Sequence, residues 1–281
     1  MSKTPLLIRM PNWIGDCVMA LPTVYKACEQ YDITLIAPKW LPALFPKAPF
    51  NYITLNQDDL IQCLQQHPAS DMLLLTNSLS SARLARKGRK QATGYRGDWR
   101  RYFLYRSIKK PKKTLHESQF FLYLYNCYHE KSKDSFIPKK PNSVRLPYTP
   151  SLSDVEQTKE QYKIESDYIL ICPFAEGKNP DGSSKIWSGW EQWIRENKHA
   201  TLIACPGPGE DKSAKAYRDL GVEILSNVSL RDYLRLMTGA SFVIGNDTGP
   251  MHLAAATNPN SKVIFTHTGN KERCKPIGNN Q

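Results

Sequence analysis

Three short turns carry the residues of this chain that could do chemistry. The first is Met10-Pro11-Asn12-Trp13-Ile14-Gly15-Asp16, directly after the apolar run Leu6-Leu7-Ile8. Gly15 permits a tight turn or the close approach of a ligand, and Asp16 falls at the start of the helix expected next. A carboxylate there can cap the helix, or it can act as a general base that takes a proton from an acceptor hydroxyl. Trp13 is either a packing residue or part of the acceptor wall. The second turn, Asn246-Asp247-Thr248-Gly249-Pro250-Met251-His252, lies between the apolar run Phe242-Val243-Ile244 and an Ala-rich segment. Pro250 suits the first turn of a helix, whose backbone N–H groups at Thr248 and Gly249 and positive dipole end would bind a pyrophosphate. The plain alternative is a capped helix, with Asp247 or Thr248 as the cap and His252 a satisfied first-turn histidine. The third segment is Cys172-Pro173-Phe174-Ala175-Glu176-Gly177, followed by Lys185-Ile186-Trp187. Lys185 can act as a point charge on a phosphate or be an ordinary solvated lysine.

All three turns follow short apolar runs, and such runs alternate with helix-like stretches through most of the chain. Strands are expected at 6–9, 33–37, 52–55, 71–75 and 92–95, then at 168–172, 200–205, 223–225, 242–245 and 262–265. Between the two sets, His129 to Pro150 is rich in Lys, Pro and Ser and suits a linker. Alternating β and α elements predict parallel sheets flanked by helices, hence two doubly wound α/β domains facing a central cleft. The domains expected are 1–150 and 151–281. Ligands of such folds bind beyond the carboxyl ends of the strands, where the three turns lie.

Composition removes several classes. The chain has 281 residues, 41% hydrophobic and 23% charged, which is globular and enough for two cores. No apolar run approaches the roughly 18 to 20 residues of a spanning helix, and Met1 to Pro5 leads into the first strand without a secretory signal. A cytoplasmic protein is expected. Seven cysteines without a Cys-x-x-Cys pair argue against a disulfide framework or a structural zinc. No Walker sequence, Gly-x-Gly-x-x-Gly fingerprint, nucleophile elbow or metal-ligand cluster is present. The formal charge is +12, and the whole excess falls between Arg83 and Lys113, where 13 Lys and Arg face one acid, Asp98. Such a stretch is either a solvated surface or the seat of an anionic partner.

In order, Asn12-Trp13-Ile14-Gly15-Asp16, Asn77-Ser78 with Gly94-Tyr95-Arg96-Gly97, Cys172-Pro173-Phe174-Ala175-Glu176, Lys185-Ile186-Trp187 and Asp247-Thr248-Gly249-Pro250-Met251-His252 resemble the lipopolysaccharide heptosyltransferases of glycosyltransferase family 9. The resemblance is nearest the heptosyltransferase II branch. It implies a GT-B fold of two Rossmann-like domains, the first binding acceptor and the second binding nucleotide sugar. It also implies transfer of heptose from ADP-heptose, with inversion, to the inner core of the lipid A-Kdo acceptor. On that resemblance Asp16 is the base and Lys185 neutralises the donor phosphates. Asp247, Thr248, Gly249 and His252 hold the donor's pyrophosphate and sugar, and Glu210 is placed near its ribose. Trp13, Asn77, Arg96, Arg100 and Arg101 are the acceptor-binding candidates, the arginines meeting phosphate or carboxylate groups.

The implied partners are ADP-heptose, an anionic lipid A-core acceptor and peripheral contact with the inner membrane. No cofactor, metal or nucleic acid is expected. The chain departs from the family pattern at Ser188, where proline is usual, in the insert Asn179 to Ser184, and at Thr266-His267-Thr268-Gly269-Asn270-Lys271, a faint echo of Gly-Pro-Thr-Asp-Pro. It is also expected to be shortened at its end. Three rival readings stand beside this one. They are a family 9-like transferase using another nucleotide sugar, a catalytically silent nucleotide-sugar-binding relative, and a nucleic-acid module. The last would use Arg83 to Lys113 with Tyr95, Trp99, Tyr102, Phe103 and Tyr105 as stacking surfaces.

Overall fold

Leu6, Leu7 and Ile8 have no accessible surface, as expected for a central parallel strand covered on both faces. A computed structural model describes residues 3–175, 177–179 and 181–278 and divides the chain into two compact units, at Tyr148 and Thr149.

The first unit runs β1 (Thr4–Arg9), α1 (Ile14–Gln30), β2 (Tyr31–Ala37), α2 (Trp40–Leu44), β3 (Asn51–Thr54), α3 (Leu60–Gln66), β4 (Asp71–Leu74), α4 (Leu79–Lys87) and β5 (Gln91–Tyr95). A 3-10 helix (Asp98–Tyr102), β6 (Arg106–Ile108) and α5 (Glu117–His129) complete it. Its six strands are ordered β3-β2-β1-β4-β5-β6, all parallel. The direction of winding reverses between β1 and β4. α5 is buried along most of its length and packs on α1, where the Lys26 ammonium donates to Asn126 Oδ1 at 2.9 Å.

The second unit runs α6 (Leu152–Gln161), β7 (Tyr168–Cys172), α7 (Trp190–Glu196), β8 (Thr201–Ala204), α8 (Asp211–Asp219), β9 (Glu223–Ile224), α9 (Leu230–Gly239), β10 (Phe242–Asn246), α10 (Gly249–Thr257), β11 (Ser261–Ile264) and α11 (Thr268–Cys274). Its strands are ordered β11-β10-β7-β8-β9, again all parallel, so its reversal lies between β7 and β10. Gly245 sits at that seam. A Cβ on it would lie 2.5 Å from Cys172 Cβ and 2.6 Å from Met251 Sδ, so only glycine lets β10 approach β7 beneath α10.

All ten expected strands coincide with observed ones to within two residues at either end, with 6–9 and 33–37 each beginning two residues earlier in the structure. β6 is a strand the sequence does not announce. It is three residues long and lies within the basic stretch, too short to display a period of two, and it is specified by pairing Arg106 to Ile108 with Thr93 to Tyr95. Within the stretch expected as a linker, residues 130–150 carry no helix or strand, while His129 closes α5.

Candidate active site

In an open parallel sheet, adjacent loops diverge where the strand order reverses and leave a crevice beyond the carboxyl ends. The loops after β1 and β4 flank that point in the first unit, and the loops after β7 and β10 flank it in the second. Asp16 and Asn77 therefore border one switch point, and Asp247 to His252 border the other.

In the first unit α1 opens at Ile14, with Trp13 in the cap position and extended backbone. Asp16 is thus not the cap, as one reading of the sequence has it, but lies in the first turn of the helix, half-buried, within the positive field of the helix start. Trp13 is exposed. The turn before them is pinned from beneath by Arg9, the last residue of β1, whose side chain is 5% exposed. Its guanidinium donates to the Met10 carbonyl and, at 2.7 Å, to Asn12 Oδ1, while the Cys17 thiol donates to Pro11 O at 3.2 Å. Burial lowers the Arg9 guanidinium to about 10, still cationic at neutral pH, against a smaller opposing effect of Cys17. Burial likewise raises the Cys17 thiol, with Asp16 adding to the rise, so this cysteine is a neutral packing group. Arg9 lies outside the motifs that the sequence marks. The available signal was a lone basic residue closing an apolar strand just before a chemistry-bearing turn.

The acceptor candidates divide. Asn77 Oδ1 accepts from Arg100 Nη1 at 3.1 Å, and Ser78 caps α4 by accepting from Ser81 N. Arg100 is buried against Gly97, where a Cβ would stand 2.8 Å from its Nη2. Arg96 and Arg101 are exposed. Arg96 N donates to Ile108 O at 2.8 Å, and the Arg101 guanidinium lies 4.7 Å over the Tyr102 ring. Among these candidates a hydrogen bond joins Asn77 to Arg100.

In the second unit the central residue is Asn246, the fully buried last residue of β10. Its Oδ1 accepts from Trp187 N and Trp190 Nε1, both at 3.1 Å, and its Nδ2 donates to Pro173 O. One side chain thus ties the end of β7, the Lys185-Ile186-Trp187 segment and the start of the Asp247 turn together. Its neighbour Asp247 is buried, 3.8 Å from Lys185 Nζ. Burial raises the Asp247 carboxyl above the usual range, and Lys185 opposes that rise. Lys185 is therefore a held lysine rather than a freely solvated one. Thr248 occupies the cap position of α10 without a side-chain cap bond, its hydroxyl donating instead to Asn246 O, and Pro250 follows in the first turn. Asp247 N donates to Ile264 O, whereas the N–H groups of Thr248 and Gly249 have no acceptor among the described residues. They remain available, with the positive end of α10, for an anion. His252 is buried in the first turn.

Glu210 precedes α8, and its carboxylate accepts the Gly207 N–H at 2.6 Å, closing the loop after β8 on itself. The insert before Lys185 is ordered by the buried Asn179, whose amide donates to Ser183 Oγ, Ser184 O and Thr266 Oγ1, while Thr266 Oγ1 also donates to Ser184 O. Residue Glu176 of the third motif lies outside the described residues. Asn246 opens the Asp247 turn, but nothing in its residue type marks it as the link to Trp187. Among the described residues no group of three His, Cys, Asp or Glu side chains could hold a metal ion, and no helix is long and apolar enough to cross a membrane.

Comparison with known proteins shows the family and the fold. Residues 58–281 match glycosyltransferase family 9 (heptosyltransferase). The lipooligosaccharide heptosyltransferase 2 of Haemophilus influenzae is 23% identical, over 90% of this chain and 80% of that protein. The ADP-heptose lipopolysaccharide heptosyltransferase II of E. coli superposes with a TM-score of 0.80 at 18% identity, covering 98% of this chain and 88% of its own. The E. coli heptosyltransferase WaaC, solved with ADP-2-deoxy-2-fluoro heptose, superposes with a TM-score of 0.65 at 16% identity, over 98% and 96% of the two chains. The fold is that of these GT-B-type enzymes, and this chain belongs to glycosyltransferase family 9 (heptosyltransferase).

Proposed function

We propose that the chain is an inverting heptosyltransferase that moves heptose from ADP-heptose to the inner core of lipopolysaccharide on a lipid A-Kdo acceptor. The observation that carries this reading is the meeting of Lys185 and Asp247 at the start of α10, beside the available N–H groups of Thr248 and Gly249. A sugar diphosphate needs an ammonium, backbone donors and a helix dipole aimed at one place. The complexes of WaaC with ADP-2-deoxy-2-fluoro heptose and with ADP point to the donor class.

In this reading each unit supplies part of the reaction. Asp16 takes the proton of the acceptor hydroxyl as its oxygen attacks the anomeric carbon. The bond from that carbon to the diphosphate oxygen breaks on the opposite side, which inverts the configuration. Lys185 and the Thr248 and Gly249 amides meet the charge that develops on the departing ADP. Asp247 holds Lys185 in place, and Glu210, in the loop before α8, is assigned to the donor ribose. Residues 1–150 supply the base and acceptor contacts, with Trp13 as a wall and Asn77, Arg96, Arg100 and Arg101 as polar contacts. Residues 151–281 supply the donor site. No step calls on a metal. A lipid-linked acceptor places the enzyme at the cytoplasmic face of the inner membrane.

The deciding experiment is transfer from ADP-heptose to heptose-deficient and mono-heptosylated lipid A-core acceptors, comparing wild type with Asp16→Ala. The expected result is one heptose added by wild type and none by the variant, with ADP binding retained in both. Binding of ADP-heptose without transfer to either acceptor would redirect the assignment to a silent relative. Turnover of a different nucleotide sugar alone would replace the donor.

A further inference from the structure

Trp99, Tyr102 and Tyr105 are 71%, 56% and 69% exposed, three of the seven exposed large hydrophobic side chains among the described residues, within one short stretch of chain. Single exposed apolar side chains are ordinary; a group of aromatics is not. These three sit inside the stretch that holds the whole excess of positive charge. The segment is held rather than loose. Arg86 Nη1 donates to Tyr102 O at 3.4 Å, and the guanidinium carbons of Arg83 and Arg86 lie 5.4 and 5.6 Å from the centre of the Phe103 ring. The 3-10 helix therefore has two sides. Arg100 turns in to Asn77, while Trp99, Arg101 and Tyr102 turn out.

Two kinds of anionic partner compete for such a surface, and the ring geometry separates them. Single-stranded nucleic acid needs open aromatic faces on which bases can stack. Here the Arg101 guanidinium covers the Tyr102 ring at 4.7 Å, Trp99 lies against the same ring at 5.9 Å with planes 31° apart, and Phe103 carries two arginines. What remains outward are indole and phenol groups of mixed polarity amid cationic heads. That composition settles at the boundary between lipid headgroups and acyl chains.

We propose that Trp99, Tyr102 and Tyr105, with Arg83, Arg86 and Arg101, form a docking surface for a bilayer bearing anionic headgroups. The aromatics enter the headgroup layer and the arginines pair with lipid phosphates. This rests on the reading above, in which the acceptor is anchored in a membrane. It reassigns Arg101 from the acceptor sugar to the surface that carries it.

The test is co-sedimentation of the intact protein with vesicles of phosphatidylethanolamine and phosphatidylglycerol, against vesicles of phosphatidylcholine alone. Wild type is expected to pellet with the anionic vesicles only, and less as salt is raised. Arg83→Gln with Arg86→Gln is expected to weaken partition about 30-fold, from roughly 1 kcal/mol for each basic residue near the surface. Trp99→Ala changes a side chain that is mostly in solvent, so it keeps the test decisive if the double variant misfolds. It is expected to weaken partition while leaving transfer to a delipidated, water-soluble acceptor at the wild-type rate. The proposal is overturned if wild type ignores anionic vesicles, if Trp99→Ala partitions as wild type does, or if the same side chains are required for an oligonucleotide and not for vesicles. Vesicle binding without any heptose transfer would leave this surface standing and remove the proposed function instead.

Discussion

Lys185 Nζ lies 3.8 Å from a carboxylate oxygen of Asp247, although the two residues belong to segments far apart in the chain. The contact exists because Asn246, one residue before Asp247, accepts the backbone N–H of Trp187, two residues after Lys185. A lysine in an irregular loop would otherwise lose about 2 kcal/mol of side-chain entropy on being held. Here it is held beforehand, so less of that cost falls on donor binding.

Removing the ammonium should therefore weaken the donor rather than the acceptor. Lys185→Met is expected to bind ADP about 10- to 100-fold more weakly, the range for one charge-assisted contact of roughly 1.5–3 kcal/mol. Calorimetric titration with ADP measures it, and unchanged affinity would remove Lys185 from the phosphate site.

Asp247 is raised by burial and opposed by Lys185. A carboxyl whose folded pKa exceeds its unfolded value holds its proton more tightly in the native state, so stability is present at low pH and falls as pH rises through the folded value. Asp247→Asn should consequently melt at or above wild type at neutral pH, with the gap closing as pH falls towards about 4, and should bind donor poorly. Thermal melts across that range check the sign. A neutral-pH Tm well below wild type would show that the Lys185 pairing outweighs the cost of burial.

Asn246→Ala leaves the Trp190 indole N–H, the Trp187 N–H and the Pro173 carbonyl without their partner. Each abandoned buried group costs about 1–3 kcal/mol, so urea denaturation should show the second unit losing several kcal/mol. A loss below about 1 kcal/mol would mean the segments are tied by packing alone.

Arg9→Met removes a buried guanidinium that holds Asn12 and the Met10 carbonyl. The variant fills similar space without the desolvation cost of a charge, so stability should change little, in keeping with the near-neutral replacement of buried ions by apolar side chains. Transfer should fall, because the turn bearing Trp13 and Asp16 loses its pins, and ADP affinity should stay as in wild type. Equal losses in both functions would mark Arg9 as a general fold residue.

Much of this protein was legible in its sequence. Alternation of apolar runs with helical stretches predicts two parallel α/β units because a strand covered on both faces must be apolar throughout, and a parallel neighbour requires a crossover. The turn residues are legible for the same local reason, since Gly15, Thr248 and Pro250 announce the breaks between strand and helix. What the chain could not disclose are the relationships made at a distance. Three-residue β6 depends on its partner strand, and Asp16 is not a cap because the helix begins two residues before it. The division of three similar arginines into one turned inward and two exposed is set by the space beside Gly97 and by Asn77. The sequence by itself determined the elements, the turns and the residue types available for catalysis, through local periodicity and backbone preference. Tertiary structure alone decided which of those side chains meet, because burial, pairing and the approach of Lys185 to Asp247 follow from the order of strands in the sheet, which no local pattern encodes.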